Sequence, residues 1–143
     1  HDDGTRTREY DDAEVILTGV SRSGKTPVSV YLATHMGIKA ANFPLTSDQL
    51  DSYNLPLELV KNRKKVIGLM TSPELLHKIR EKRYRGSRYA KRSTCSNELN
   101  QSRQIFMKYD ISVVQTDGKS IEETAVQVTQ LAGISKRRWR SVS

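Results

Sequence analysis

Glu14-Val15-Ile16-Leu17-Thr18-Gly19-Val20-Ser21-Arg22-Ser23-Gly24-Lys25-Thr26-Pro27-Val28 is the stretch on which the reading of this chain turns. Glu14 to Thr18 is a short β-branched run. It is bounded by Asp11-Asp12 and by Gly19, the pattern of a buried strand. Gly19 to Gly24 is rich in glycine and serine and reads as a turn. From Lys25 onward apolar residues recur at helical spacing, at Val28, Tyr31 and Leu32 and less regularly at Met36. Gly37 is a C-terminal stop, and Pro27 is tolerated in a first helical turn. The order is strand, glycine turn, helix.

The turn fits G-x-x-x-x-G-K-[ST] at every fixed position, running Gly19, Val20, Ser21, Arg22, Ser23, Gly24, Lys25, Thr26. The two glycines let backbone amides turn inward, and with the positive end of the following helix these make an anion cradle. Lys25 places a cation on the terminal phosphates, and Thr26 offers a hydroxyl to Mg²⁺. The plain alternative is a serine-glycine turn with a solvated lysine. The position between strand and helix favours phosphate binding. Such a site usually also needs an acid near the metal. Asp117, after Val113-Val114-Gln115-Thr116, comes nearest to that pattern, and Asp2 or Asp3 folding over the nucleotide is the other option.

Outward from this stretch, strands and helices alternate. Lys39 to Pro44 is a second strand candidate. Residues 45–64 read as a loop and short helix containing Pro56. Lys65 to Met70 is a third strand. Thr71-Ser72-Pro73-Glu74 resembles a helix start, with a Ser or Thr cap, Pro at the first position and an acid in the first turn. That helix runs through Leu75, Leu76 and Ile79 toward Tyr84 and breaks at Gly86-Ser87. Another helix begins near Ser96, and Ile111 to Val114 is a fourth strand. Ser120 and Glu123 form a capping box for a last helix through Ala125, Val128 and Leu131. The expected organisation is an opening loop or linker over 1–13, a nucleotide-binding catalytic domain over 14–132, and a basic tail over 133–143. The expected class is α/β, a P-loop-type, mainly parallel sheet flanked by helices.

The chain has 143 residues, 36% hydrophobic and 28% charged, enough for one globular core. Its single cysteine, Cys95, excludes an internal disulfide and a Cys-based zinc cage, and suits a reducing cytosol. No apolar run is long enough for a membrane span, and the polar start His1-Asp2-Asp3-Gly4 is not a signal peptide. A chain opening on His1 reads as a piece of a longer protein.

The net charge is +8. Much of it is local, with Arg80, Lys82, Arg83, Arg85, Arg88, Lys91 and Arg92 set against Glu81 alone within 80–92. Four more cations lie in Lys136-Arg137-Arg138-Trp139-Arg140. The 80–92 stretch is either a solvated helix face or a clamp for a second phosphate group. Tyr84 and Tyr89 among its arginines would also suit single-stranded nucleic acid, a reading ranked lower because no nucleic-acid motif accompanies it. His35 and His77 stand far from other candidate ligands and read as ordinary surface or hydrogen-bonded histidines.

Several blocks in order resemble the C-terminal half of the regulatory proteins of pyruvate, phosphate dikinase and of phosphoenolpyruvate synthase. They are His1-Asp2-Asp3-Gly4, VILTGVSRSGKTPVSVY over 15–31, KAANFPL over 39–45, Gly68-Leu69 with Pro73-Glu74, Ile79-Arg80, Gly86-Ser87-Arg88-Tyr89-Ala90, and Ser120-Ile121-Glu122-Glu123. The resemblance implies a bifunctional enzyme. As a serine/threonine kinase it would take its phosphoryl group from ADP and inactivate the synthase or dikinase by modifying a threonine. As a phosphorylase it would remove that group with inorganic phosphate and release pyrophosphate. Carried over, Gly19 to Thr26 is the nucleotide loop. Lys25 would neutralise the transferring phosphate, and Thr26 or a nearby carboxylate would hold Mg²⁺. Arg80 and Arg88 are candidates for the target's phosphate, and Asp2 or Asp3 for the base. The 86–98 region looks more like the synthase-type members, and a homodimer is compatible with the resemblance. The competing readings are an ATP-dependent small-molecule kinase and a basic nucleic-acid-binding module.

Overall fold

In this computed structural model the described residues are 9–134. Asp2, Asp3 and the basic tail lie outside them. The elements are β1 (Val15–Gly19), α1 (Lys25–Met36), β2 (Ala40–Pro44), α2 (Ser47–Ser52), α3 (Leu57–Lys61), a 3₁₀ turn (Arg63–Lys65), β3 (Val66–Met70), α4 (Pro73–Arg83), α5 (Arg92–Lys108), β4 (Ser112–Gln115) and α6 (Ile121–Leu131). The four strands form one all-parallel sheet in the order β2-β1-β3-β4. This is the α/β arrangement expected from the alternation of elements.

Parallel strands joined by helical crossovers are covered on both faces, so their sequences read as near-continuous apolar runs. Every residue of β1 and of β3 is buried. Side-chain alternation then divides the core in two. Ile16, Val66 and Met70 face a layer that includes Leu50 of α2, Leu59 of α3, Leu76 of α4, and Leu99, Ile105 and Phe106 of α5. Val15, Leu17, Ile67, Leu69 and Val114 face α1, through Val28, Leu32 and Met36, and α6, through Ala125 and Val128. Each such side chain fully withdrawn from water contributes about 1.5–3 kcal/mol before entropy.

The strand order has a functional consequence. From β1 the chain steps to β2 on one side, then crosses to β3 on the other. The switch point therefore lies between the carboxyl ends of β1 and β3, where open α/β sheets take their ligands. The glycine turn leaves β1 at that end.

Three local readings shift. Residues 45–64 hold two helices rather than one, because Thr46 and Gln49 form a capping box for α2 while Pro56 caps α3. The fifth helix starts at Arg92, four residues before Ser96. The end of the opening segment is built into the fold. Residues 9–12 are helical, Tyr10 and Ala13 join the core, and Lys65 Nζ donates to Asp11 O at 2.9 Å and Ala13 O at 2.7 Å.

Gly68, in the middle of β3, faces the ring of Phe106. A Cβ there would stand 2.7–2.9 Å from three ring carbons. Phe106 is itself 1% exposed and has little room to retreat. Gly68→Ala is therefore expected to lower stability by about 1–3 kcal/mol, and Phe106→Leu in the same chain to recover part of the loss. Urea unfolding of the three variants decides it. An unchanged midpoint for Gly68→Ala would remove the packing argument.

Candidate phosphate-binding site

β1 ends at Gly19 and α1 begins at Lys25, so residues 20–24 must reverse direction in one short loop. Gly19 is required at its entrance. A Cβ would stand 2.7 Å from Ser23 Oγ and 2.8 Å from the backbone oxygen of Leu69, which cannot move without disturbing β3. The Gly19 carbonyl accepts from Leu45 N–H at 2.9 Å, holding the end of β2 alongside the loop. Ser23 N–H donates to Val20 O at 3.3 Å and tightens the turn. The cap of α1, Gly24, supplies no side-chain hydrogen bond, and the first turn of α1 carries no acid. No cap or first-turn carboxylate of α1 offsets the positive end of this helix.

The Lys25 side chain folds back into the loop. Its Nζ donates to Val20 O at 2.7 Å, Gly19 O at 3.1 Å and Ser23 Oγ at 3.4 Å. The residue is 8% exposed. Burial, and then the positive charge of Arg80, bring its pKa down to about 8. The ammonium group is thus fixed among the oxygens of the loop that precedes α1. Thr26 stands exposed on the first turn beside it.

The structure corrects the reading of Arg80. It was expected to meet the target's phosphate but is fully buried, and its guanidinium is committed to the protein's own groups. NH2 donates to Glu98 Oε1 at 2.8 Å and to Ser21 O at 3.0 Å, and NH1 donates to Tyr89 O at 2.9 Å. The group also lies 4.0 Å from the centroid of the Tyr89 ring. The Tyr89 and Ser21 hydroxyls are hydrogen-bonded to each other. Cys95 is buried against the same cluster, with Arg80 NH1 3.9 Å from its sulfur, and burial pushes its thiol pKa up. His77 Nδ1–H donates to Ala90 O at 2.6 Å, a second fastening of the 86–91 turn to α4. Sequence spacing does not reveal this cluster, because Arg80, Ser21 and Glu98 come from three separate elements.

Arg88, by contrast, is exposed. It lines a cleft of about 570 Å³ that begins at Ser21 and continues past Leu45, Thr46, Asp51 and Tyr89. The rest of the basic stretch is a solvated face. Arg92 pairs with Glu74 at 3.3 Å with both side chains well exposed, and Glu81 accepts from Gly86 N–H. Asp117 accepts from Gln115 Nε2 at 2.7 Å beyond the end of β4. That strand lies two positions from β1, roughly 10 Å across the sheet. Thr71, directly after β3, reads from sequence only as a possible helix cap. It is buried at the same end of the sheet, and its hydroxyl has no partner among the described residues. Among the described residues, no group of three or more His, Cys, Asp or Glu side chains is arranged to hold a metal ion.

Residues 1–129 match the model of the kinase/pyrophosphorylase family. The chain belongs to this family. A relative from Desulfotalea psychrophila is 57% identical over 130 residues, which cover 91% of this chain and 48% of that protein. One from Laribacter hongkongensis is 47% identical over 137 residues, covering 96% of this chain and 50% of the relative. Both carry the name "putative phosphoenolpyruvate synthase regulatory protein". The chain thus spans about half the length of the curated relatives it matches. No helix among the described residues is long and apolar enough to cross a membrane.

The lowered pKa of Lys25 has a definite sign in stability. Below about pH 8 both folded and unfolded chains carry the charge, and burying it costs free energy. Between about 8 and the ordinary value of 10.5 the unfolded chain holds the extra proton, so folding strengthens as pH rises. The stability of wild type relative to Lys25→Met should therefore climb across that window, by at most about 1.4 kcal/mol per pH unit. Chemical denaturation of both proteins from pH 7 to 10.5 measures the difference. A flat difference would mean that the amine titrates normally.

Proposed function

We propose that this chain carries the phosphate-handling part of a regulatory phosphotransferase acting on phosphoenolpyruvate synthase or pyruvate, phosphate dikinase. In one direction it is an ADP-dependent serine/threonine kinase, in the other a phosphate-dependent, pyrophosphate-forming phosphorylase. The family membership supports the class of reaction. The observation that carries the reading is the Lys25 ammonium held at the base of the Gly19–Thr26 loop.

Both directions move a phosphoryl group between oxyanions. In the kinase direction a threonine hydroxyl of the target attacks the terminal phosphorus of ADP. The bond from that phosphorus to the bridging oxygen breaks, AMP leaves, and the hydroxyl proton goes to a base. In the reverse process an oxygen of inorganic phosphate attacks the phosphothreonine phosphorus. The bond to the threonine oxygen breaks, the threonine takes back a proton, and pyrophosphate forms. In each case the protein's share is to position the groups and stabilise negative charge.

In this reading the loop amides and Lys25 hold the diphosphate or its equivalent. Mg²⁺ fits the donor set only modestly, with the Thr26 hydroxyl as its protein ligand and the remaining positions left to phosphate oxygens and water. When bound, the ion would draw negative charge from the phosphates. The cleft that starts at Ser21 is wide enough for an acceptor segment, and exposed Arg88 offers a cation to its phosphate. Asp2 and Asp3 remain candidates for the base. The family and the names of the relatives favour a protein acceptor over a small molecule.

With Mg²⁺ present, ADP and pyrophosphate are each expected to raise the melting temperature of this chain more than ATP does. At a hundred times its dissociation constant a ligand adds about 2.7 kcal/mol, a shift of several degrees. Lys25→Ala should abolish the shift. A larger shift with ATP than with ADP would replace the proposal by an ATP-dependent small-molecule kinase. Binding that ignores Lys25 and falls steeply with salt would point to a nucleic-acid module.

A further inference from the structure

Arg80 poses a physical question that phosphate transfer leaves open. Arg80 is fully buried while its partner Glu98 is 24% exposed, and a pair with so desolvated a cation seldom improves stability over a well-packed apolar substitute, because desolvation offsets the attraction. The Arg80–Glu98 pair is therefore poorly explained as a device for holding the fold. Its surroundings suggest another use. Arg80 reaches the backbone carbonyl of Ser21 in the loop and that of Tyr89 in the 86–91 turn, and pairs with Glu98 on α5. Tyr89 lies with its ring against the guanidinium and its hydroxyl bonded to Ser21 Oγ. Ser21 is thus gripped twice, at its carbonyl and at its hydroxyl. Ser21, Tyr89 and Glu98 also line the cleft. One cluster supplies both the side support of the anion loop and part of the wall of the neighbouring cleft.

We infer that Arg80, Tyr89 and Glu98 form a positioning unit that couples the anion loop to the cleft. Tyr89 is its moving contact. An anion on the loop fixes Ser21, and Ser21 fixes Tyr89 and the cleft wall. By the reciprocity of linked equilibria, a polypeptide segment seated against Tyr89 would tighten the loop's hold on its diphosphate. Tyr89 need not touch the reacting atoms for this. The inference rests on the phosphate-binding reading above and adds to it a mutual coupling, in which each substrate prepares the site of the other.

Amide hydrogen exchange with pyrophosphate as the probe tests the coupling directly. In wild type, pyrophosphate with Mg²⁺ should slow exchange at least about threefold both over 19–26 and over 87–98. In Tyr89→Phe, which keeps the ring against Arg80, protection should remain over 19–26 and disappear over 87–98. Loss of one such hydrogen bond should also weaken pyrophosphate binding about three- to tenfold. The melting temperature of the ligand-free variant should stay within about 2 °C of wild type, which a purely structural role for the bond would not allow. Ser21→Ala severs the same bond from the other side, so adding Tyr89→Phe to it should cost nothing further in affinity.

Additive losses in the double variant would overturn the inference. So would equal protection of 87–98 in wild type and Tyr89→Phe. Protection confined to 19–26 in wild type would overturn the coupling while leaving the phosphate loop intact. If pyrophosphate protects neither region, the phosphate-binding reading falls and the coupling falls with it.

Discussion

One oxygen at the end of the central strand carries much of this architecture. The carbonyl of Gly19 accepts the amide of Leu45 and the ammonium of Lys25. The first bond keeps β2 alongside β1 to its last residue, which defines one side of the ligand end of the sheet. The second draws the lysine back across the turn and places the charge at its base. Both depend on a backbone that passes too close to Leu69 and Ser23 for any side chain at position 19. The fold positions the charge by burying β1 on both faces, and the charge in turn occupies the interior of the loop.

Much of this was legible in the order of residues, for reasons that can be named. Strands buried on both faces leave continuous apolar runs, so Val66–Met70 was found within one residue of its ends, while the edge strand Ala40–Pro44, in which only Ala41 is buried, was found as closely because Pro44 closes it. Ser72 and Ser120 announced α4 and α6, because a hydroxyl cap is a local interaction. The start of α5 was missed because Lys91 caps it without a side-chain bond and its first two residues, Arg92 and Ser93, are polar and exposed. The glycine loop could be read because its chemistry is contiguous. The Arg80 cluster could not, because its hydrogen bonds join residues from 9 to 68 positions apart in the chain. An arginine in a basic run looks the same from sequence whether it faces water or lies in the core.

The basic stretch illustrates that limit. Its cations divide between two physical roles. Arg80 is wholly desolvated and matched by a carboxylate, two carbonyls and an aromatic face. Arg88 and Arg92 remain in water, where a charge pair such as Arg92 with Glu74 contributes little. Net charge alone would have assigned one role to all of them. In this member of the kinase/pyrophosphorylase family, one run of cations is divided between the core and the solvent.

Cys95 gives the buried cluster a clock. Its thiol is enclosed by Arg80 and the Ala90 carbonyl, and burial disfavours the thiolate that alkylating reagents require. A reagent can reach the sulfur only when the Arg80 cluster opens. The chain therefore contains one native labelling site whose rate of modification, relative to that of the unfolded chain, reads the free energy of that opening. No introduced probe is needed, because the only cysteine in the sequence already sits where the anion loop, the cleft wall and the long helix meet.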